Sequence, residues 1–181
     1  TNTVNLALAT GAVIITGSEM PRFFAGKLKA LGGDPKKSKL VRFGASTKVG
    51  GVTLTTVPAV HSNGVSGAFI EGDLGEMLNA AGLTAYAGPP TGYVLTFSNG
   101  LVVYLSGDTG VTAEQQTVVG RQYKPQSVIA SHANEVATKD GMVIAGTKTA
   151  AFIDAVEVPV HLPLSGRTMS FDEFGNCRAG C

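Results

Sequence analysis

Three polar residues stand where strand-like apolar runs end, and their types suit metal-assisted chemistry. Asp108 follows the run 101–105 inside the segment Ser-Gly-Asp-Thr-Gly, His61 follows the run 57–60, and His132 ends the run 126–131. Neutral imidazole and ionised carboxylate are preferred ligands of Zn²⁺, so two histidines and one aspartate can fill a partial zinc site. Each of them also suits a hydrogen-bonded structural position, and the spacing by itself leaves that alternative open.

A predicted hairpin places Asp108. The runs 93–97 and 101–105 are rich in β-branched and aromatic residues and flank Asn99-Gly100, a pair that tolerates the positive φ angles of a tight turn. The second run is apolar without alternation, as expected of a strand that is covered on both faces. A capping box then opens a helix over 113–122. The pattern therefore predicts an acid at the tip of a buried strand, just ahead of a helix.

The other elements follow from hydrophobic period and from the position of Gly and Pro. The connection 71–92 is longer than usual loops, so we expect a lid or flap that packs over a site. No composition break divides the chain, and 1–181 is predicted to be one domain with strands first and alternating helices and strands later. The predicted helices are 2–10, 18–31, 76–81, 113–122 and 147–156; the predicted strands are 12–16, 39–44, 52–58, 64–70, 93–97, 101–105, 126–131, 159–164 and 168–171.

The composition restricts the partners. The 181 residues are 44% hydrophobic and 15% charged, with a net charge of +1. This balance is typical of a folded globular protein and opposite to that of a disordered chain. Near-zero net charge disfavours a nucleic acid as partner, and the longest apolar stretches are far shorter than the ~20 residues of a membrane span. We therefore expect no nucleic acid and no membrane as partners.

The chain ends give the few indications of compartment. Cys177 and Cys181 either form a small disulfide loop, which would imply an oxidising compartment, or remain two free thiols. Together with the low lysine content and a non-methionine start at Thr1, they favour a periplasmic or secreted protein over a cytoplasmic one. Thr1 also raises the alternative of an N-terminal nucleophile hydrolase. The helix predicted over 2–10 disfavours it, because such enzymes open with a strand.

Three segments in order resemble the metallo-β-lactamase superfamily, particularly its L-ascorbate-6-phosphate-lactonase-like metal-dependent hydrolases. They are Val-Pro-Ala-Val-His-Ser at 57–62, Leu-Ser-Gly-Asp-Thr-Gly at 105–110 and Val-Ile-Ala-Ser-His at 128–132. The resemblance implies that His61 and His132 are metal ligands and that Asp108 bridges two metal ions, with Asp108 and His132 at the catalytic centre. It also implies an α+β fold, the αββα four-layer sandwich, in which two sheets pack face to face with helices outside.

One signature of that superfamily is absent from this sequence. The motif H-x-H-x-D-H, which supplies most of the remaining ligands, does not occur in it. In the family this motif is often followed by a threonine and then a helix, a strand and a helix, which is the order predicted from Thr1 onward. We therefore expect the chain to be the C-terminal portion of the fold. Either the protein is cleaved into two chains that stay associated, or this sequence is one piece of a longer protein. In both cases an N-terminal fragment is the expected partner that completes the site.

The function that this resemblance implies is zinc-dependent hydrolysis of a small-molecule substrate. One or two Zn²⁺ ions, or another divalent metal, would lower the pKa of bound water so that the resulting hydroxide attacks the substrate. The alternative is a non-catalytic subunit or binding module that kept the fold without the full metal site. Assembly of the chain into a homo-oligomer is also an open alternative. His161 is expected to be structural or to support a metal ligand, and Asn134 and Glu135 to cap a loop.

Overall fold

The computed structural model describes residues 2–17, 19–110, 113, 116–130, 135–163 and 166–181. Contacts between residues group the chain into two units. Unit 1 consists of Thr1–Phe43 and Ser62–Pro89, and unit 2 consists of Gly44–His61 and Pro90–Cys181. The predicted assignment of 1–181 to one metallo-β-lactamase-like domain stays a prediction. No helix within the described ranges is long and apolar enough to cross a membrane.

Unit 1 opens with a helix, a strand and a helix, as the sequence predicts. The elements are α1 (Asn2–Thr10), β1 (Ile14–Thr16), α2 (Pro21–Ala30) and β2 (Ser38–Leu40), and β1 pairs with β2 in parallel. Helical spacing brings Val4 and Ala7 of α1 against Leu28 of α2, and these side chains form a small core with Ile14. Because apolar burial is the main stabilising term, this core holds the opening segment together.

The second segment of unit 1 contains a strand pair and the helix that the sequence predicts within the long connection 71–92. β5 (Gly64–Ser66) pairs antiparallel with β6 (Thr84–Tyr86), and α3 (Asp73–Ala81) lies between them in the chain. A Cβ at Gly75 of α3 would overlap the carbonyl oxygen of Ile70, so the close approach of α3 to the preceding turn requires glycine. The lid role of 71–92 stays a prediction.

Unit 2 contains the largest sheet. Its strands are β3 (Ser46–Val49), β4 (Val52–Pro58), β7 (Thr91–Phe97), β8 (Val102–Leu105), β9 (Ser127–Ile129) and β12 (Val160–His161), in the order β12-β9-β8-β7-β4-β3. β8, β9 and β12 are parallel neighbours, and β7 is antiparallel to both β4 and β8. β4, β8, β9 and β12 therefore run in the same direction. Their carboxyl ends lie at one edge of the sheet, which we call the carboxyl edge.

The middle of this sheet is buried on both faces. Val57, Val94, Tyr104 and Val128 form the core on one face, where partly buried apolar side chains such as Phe152 pack against them. Thr56 and Val103 alternate with these residues along β4 and β8 and are also buried. This explains why the run 101–105 is apolar without alternation, as the sequence predicts.

The rest of unit 2 consists of short elements. They are a π-helix (Gln116–Tyr123), a hairpin of β10 (Thr138–Lys139) and β11 (Met142–Val143), α4 (Lys148–Ala155), and a hairpin of β13 (Ser170–Phe171) and β14 (Cys177–Ala179). Cys177 and Cys181 form a disulfide, which settles the alternative that the sequence leaves open. The Oγ of Ser127 in β9 is fully buried and donates a 2.9 Å hydrogen bond to the carbonyl of Gly175, which ties the last hairpin to the sheet.

Most predicted elements are confirmed, with changes at their ends. The hairpin at Asn99-Gly100 is present, with Gly100 at a φ of 93°. The prediction that Ser18 caps α2 is wrong, because the cap residue is Met20, whereas the predicted position of Pro21 at the start of the helix is confirmed. The strand predicted over 64–70 ends at Ser66, where a 3₁₀ turn follows. Where an α-helix is predicted over 113–122, Gln116–Tyr123 form a π-helix, and the predicted capping box lies mainly outside the described residues.

The fold class is confirmed as α+β. A mixed central sheet with several helices fits a metallo-β-lactamase-like fold. Sequence reasoning missed β3, an edge strand whose residues alternate between exposed and half-buried positions. Its sequence, Ser-Thr-Lys-Val, has only one strongly apolar residue and therefore shows no hydrophobic pattern that would predict a strand. Pairing with β4 decides its structure.

Candidate functional site

The structure brings together two of the three residues predicted as metal ligands. His61 Nε2 lies 3.1 Å from Asp108 Oδ2, and the two side chains are 43% and 40% exposed. His61 follows the end of β4 and Asp108 follows the end of β8, so both belong to the carboxyl edge. β7 separates the two strands in the sheet but runs the other way, so that it begins where they end. The sheet topology thereby joins two residues that are distant in sequence.

Backbone contacts hold the two loops that carry this pair. The Val60 N–H donates to Thr109 Oγ1 at 2.9 Å, and the Gly110 N–H donates back to the Val60 carbonyl at 3.0 Å. Just before Asp108, Gly107 has a φ of 66°, a conformation that side chains with Cβ rarely adopt. The glycine therefore lets the chain leave β8 at the angle that presents Asp108 to His61.

His132, the third predicted ligand and second predicted catalytic residue, lies outside the described residues. The last described residues before it are Ile129, which ends β9, and Ala130, whose N–H donates to the carbonyl of His161 at 3.1 Å. Its role as a ligand stays a prediction, and so does that of Asn134, which lies in the same gap.

Glu135 caps the N-terminus of a helix, whereas the sequence predicts that it caps a loop. One oxygen of its carboxylate accepts the Thr149 N–H at 2.8 Å and the Thr149 hydroxyl at 3.0 Å, in the first turn of α4. The hydrogen bond from the Thr149 backbone is the main cause that lowers the pKa of Glu135. A carboxylate held as an anion at a helix N-terminus is a stabilising arrangement. Glu135 therefore acts as a structural cap and is not a candidate ligand.

His161 is a candidate metal donor that sequence reasoning interpreted differently. It ends β12 at the carboxyl edge, and its ring packs edge-on against Phe171 with a centroid distance of 4.8 Å. Burial lowers the pKa of this histidine, which favours the neutral imidazole that binds metal ions. Its Nε2 is buried and has no hydrogen-bond partner among the described residues. Buried nitrogens are normally satisfied, so a partner such as a metal ion would explain this one.

The described side chains fit part of a metal centre. No group of three or more His, Cys, Asp or Glu residues within the described ranges is arranged to hold a metal ion. His61 and Asp108 supply one nitrogen and one carboxylate at contact distance, whereas a catalytic zinc site takes about three protein ligands. The pair therefore suits a metal ion in donor type and closeness, and further donors must complete the coordination.

The imidazole and the carboxylate at the carboxyl edge have the donor types of a metal centre, and comparison with known proteins finds similarity to metal-dependent hydrolases. The chain is similar to the UPF0173 metal-dependent hydrolase of Chloroflexus aurantiacus, with 34% identity over 128 residues that cover 70% of this chain and 44% of that protein. The UPF0173 metal-dependent hydrolase of Methanosarcina mazei is 30% identical over 125 residues, which cover 69% of this chain and 45% of that protein. The resemblance to metal-dependent hydrolases is thereby confirmed, and its lactonase-like subtype stays a prediction.

Two further findings complete the comparison. No protein-family model matches the chain. Among solved structures, Igni18, a metallo hydrolase from Ignicoccus hospitalis, is similar with a TM-score of 0.47 and 22% identity, covering 71% of this chain and 44% of that one. The chain thus spans less than half the length of these curated relatives.

Proposed function

We propose that the protein containing this chain is a zinc-dependent hydrolase that acts on a small-molecule substrate. The observation that carries the proposal is the 3.1 Å contact between His61 Nε2 and Asp108 Oδ2 at the carboxyl edge. Homology to proteins named metal-dependent hydrolases supports a metal cofactor and a hydrolytic reaction in general. Zinc is the preferred metal for this proposal because imidazole nitrogen and carboxylate oxygen are among its usual ligands.

In this proposal each residue has a separate role. The His61 imidazole contributes one nitrogen, and its contact with Asp108 places that nitrogen beside the carboxylate. Asp108 has two oxygens, so it can bind one ion or hold two ions at a fixed separation. Its side chain is 40% exposed, so solvent reaches it. When bound, the metal supplies Lewis acidity, which brings the pKa of a water towards neutrality and offsets negative charge on the substrate.

We also propose where the remaining donors come from. His132 is the predicted third ligand, and the buried, unpartnered Nε2 of His161 is a further candidate that the structure does not group with His61 and Asp108. An N-terminal segment or partner chain carrying the motif H-x-H-x-D-H would supply the rest. The support for this step is that the relatives are more than twice as long as the region they share with this chain. The disulfide between Cys177 and Cys181 supports a periplasmic or secreted location.

Metal analysis and hydrolase assays on the full-length protein test the proposal. We expect one or two zinc ions per chain. We also expect hydrolysis of at least one substrate in a panel of lactones, amides and phosphoesters, and this activity should be lost after chelation and restored by added Zn²⁺. Full-length protein that stays metal-free in excess zinc would contradict the proposal. That result would favour the non-catalytic binding module, an alternative consistent with the lack of a three-residue metal cluster among the described residues.

A further inference from the structure

The loops that carry His61 and Asp108 are joined by a closed set of hydrogen bonds, which we call the Thr109 latch. It consists of Val60, Thr109 and Gly110. The Thr109 hydroxyl accepts the Val60 N–H at 2.9 Å and donates to the Gly110 carbonyl at 2.8 Å. The Gly110 N–H then donates to the Val60 carbonyl at 3.0 Å. Both backbone polar groups of Val60 are therefore bound to the loop after β8.

The position of the latch is what makes it informative. Val60 directly precedes His61, and Thr109 directly follows Asp108. The preceding residue of the first loop, Ala59, is also fixed, because its N–H donates to the Pro90 carbonyl at 3.3 Å. The hydrogen bonds thus fix the backbone at the residue next to His61 and at the residue next to Asp108. This restricts the distance between the His61 and Asp108 side chains. The Val60 side chain itself is 54% exposed, so packing contributes little to holding this loop.

We infer that Thr109 is a positioning residue that holds the His61 and Asp108 side chains at the separation needed to bind one metal ion. The inference rests on the proposed function. Thr109 acts through its hydroxyl, which accepts from the loop after β4 and donates within the loop after β8, and it is not itself a ligand. Preorganisation of ligands lowers the cost of ordering them when the metal binds, and residues that orient ligands commonly change metal affinity by about 10- to 100-fold.

Substitution of the hydroxyl separates this role from simple stability. Thr109→Val keeps the shape of the side chain but loses both hydrogen bonds, whereas Thr109→Ser keeps the hydroxyl. The matched control is Thr10→Val in α1, since the Thr10 hydroxyl likewise donates to a carbonyl, that of Leu6, at 2.7 Å and accepts an N–H, that of Ala12, at 3.3 Å. The control removes the same kind of contacts from unit 1. His61 and Asp108 belong to unit 2 and are distant from Thr10 in sequence.

Two readouts on the full-length protein test the inference. In the metal-free protein, amide hydrogen exchange at Val60 should be roughly two- to tenfold faster in Thr109→Val and unchanged in Thr109→Ser. Zn²⁺ affinity measured by calorimetry should fall about 10- to 100-fold in Thr109→Val, recover in Thr109→Ser and stay unchanged in Thr10→Val. The visible spectrum of bound Co²⁺, which reports ligand geometry, should change only in Thr109→Val.

The outcomes distinguish this inference from the proposed function. A Thr109→Val protein that binds Zn²⁺ within about twofold of the wild type, with an unchanged Co²⁺ spectrum, overturns the inference alone. Unchanged exchange at Val60 overturns it as well, because the hydroxyl then makes no contribution to holding the loop. A wild-type protein that binds neither metal overturns the proposed function and this inference with it.

Discussion

Replacement of Asp108 by asparagine should separate a metal ligand from a structural residue. The change keeps the size of the side chain and removes its charge. The contact of Asp108 with His61 joins two half-exposed side chains, and pairs of this kind contribute less than about 1 kcal/mol to folding. We therefore expect Asp108→Asn to change the free energy of unfolding of the metal-free protein by less than about 1 kcal/mol.

The effect on metal binding should be much larger. Loss of a ligand should weaken Zn²⁺ binding by more than about 100-fold, since even residues that only contact a ligand cost 10- to 100-fold. At a free Zn²⁺ concentration 100 times the wild-type Kd, binding stabilises the wild type by about 2.7 kcal/mol. A 100-fold weaker variant gains only about 0.4 kcal/mol under the same conditions. The expected difference is thus about 2.3 kcal/mol, and it appears only with metal.

Urea unfolding of the full-length protein with chelator and with buffered Zn²⁺ measures both quantities. Asp154→Asn is the matched control, because Asp154 is an exposed aspartate in α4 of the same unit, and it should gain as much from Zn²⁺ as the wild type. An Asp108→Asn protein that gains the full stabilisation from Zn²⁺ would refute the assignment of Asp108. A loss of several kcal/mol without metal would show that the residue is mainly structural.

Two further predictions concern the last hairpin of unit 2. Hydrogen bonds from Asn176 are the main cause that lowers the pKa of Asp172, which also pairs with Arg178 at 2.8 Å. The ionised Asp172 carboxylate stabilises the folded state at pH values above its unfolded pKa, and this stabilisation is lost as the pH falls through its lower folded pKa. We therefore expect the urea midpoint of Asp172→Asn to fall less below about pH 4 than that of the wild type. Gly175→Ala should cost about 1–3 kcal/mol in urea unfolding, because Gly175 has a φ of 81° and a Cβ there would lie 2.6 Å from the Gln126 Cβ. Gly146→Ala, with a φ of 80° and open space, should cost less, and equal costs would contradict the proposed overlap.

Sequence reasoning was most accurate where local signals act alone. The Asn99-Gly100 turn and the apolar run after it predict the β7–β8 hairpin. A positive φ at the turn favours glycine, and burial of both faces of a strand favours a continuous apolar run, so both can be recognised from residue type. Ser18 is the residue whose type predicts a cap for α2, but the cap is Met20, which makes no side-chain hydrogen bond that a sequence pattern could indicate. The length of β12 was overestimated, since a run of alternating prolines and apolar residues says little about how far pairing extends.

The candidate site divides in the same way. Sequence pattern identified Asp108 and His61 as polar residues at strand ends, and the resemblance to metallo-β-lactamases gave them a common role. Their contact depends on strand order, in which β7 lies between β4 and β8 and runs opposite to both. Strand order is set by pairing between distant segments, for which a single sequence has no local signal. The unpartnered Nε2 of His161 and the Thr109 latch are likewise invisible in sequence, because burial and hydrogen-bond geometry belong to single atoms.

The sequence by itself determined the alternation of helices and strands, the turns and the types of the candidate donors, whereas the metal-dependent hydrolase was implied by the resemblance to metallo-β-lactamases. The alternation, the turns and the donor types follow from residue chemistry and from periods of a few residues, which act within one element. Only the tertiary structure decided which of those donors meet, with His61 against Asp108 at 3.1 Å and Glu135 turned to the N-terminus of α4. The physical reason is that side-chain contacts across a sheet depend on the order and direction of its strands, and these are fixed by packing of the whole unit.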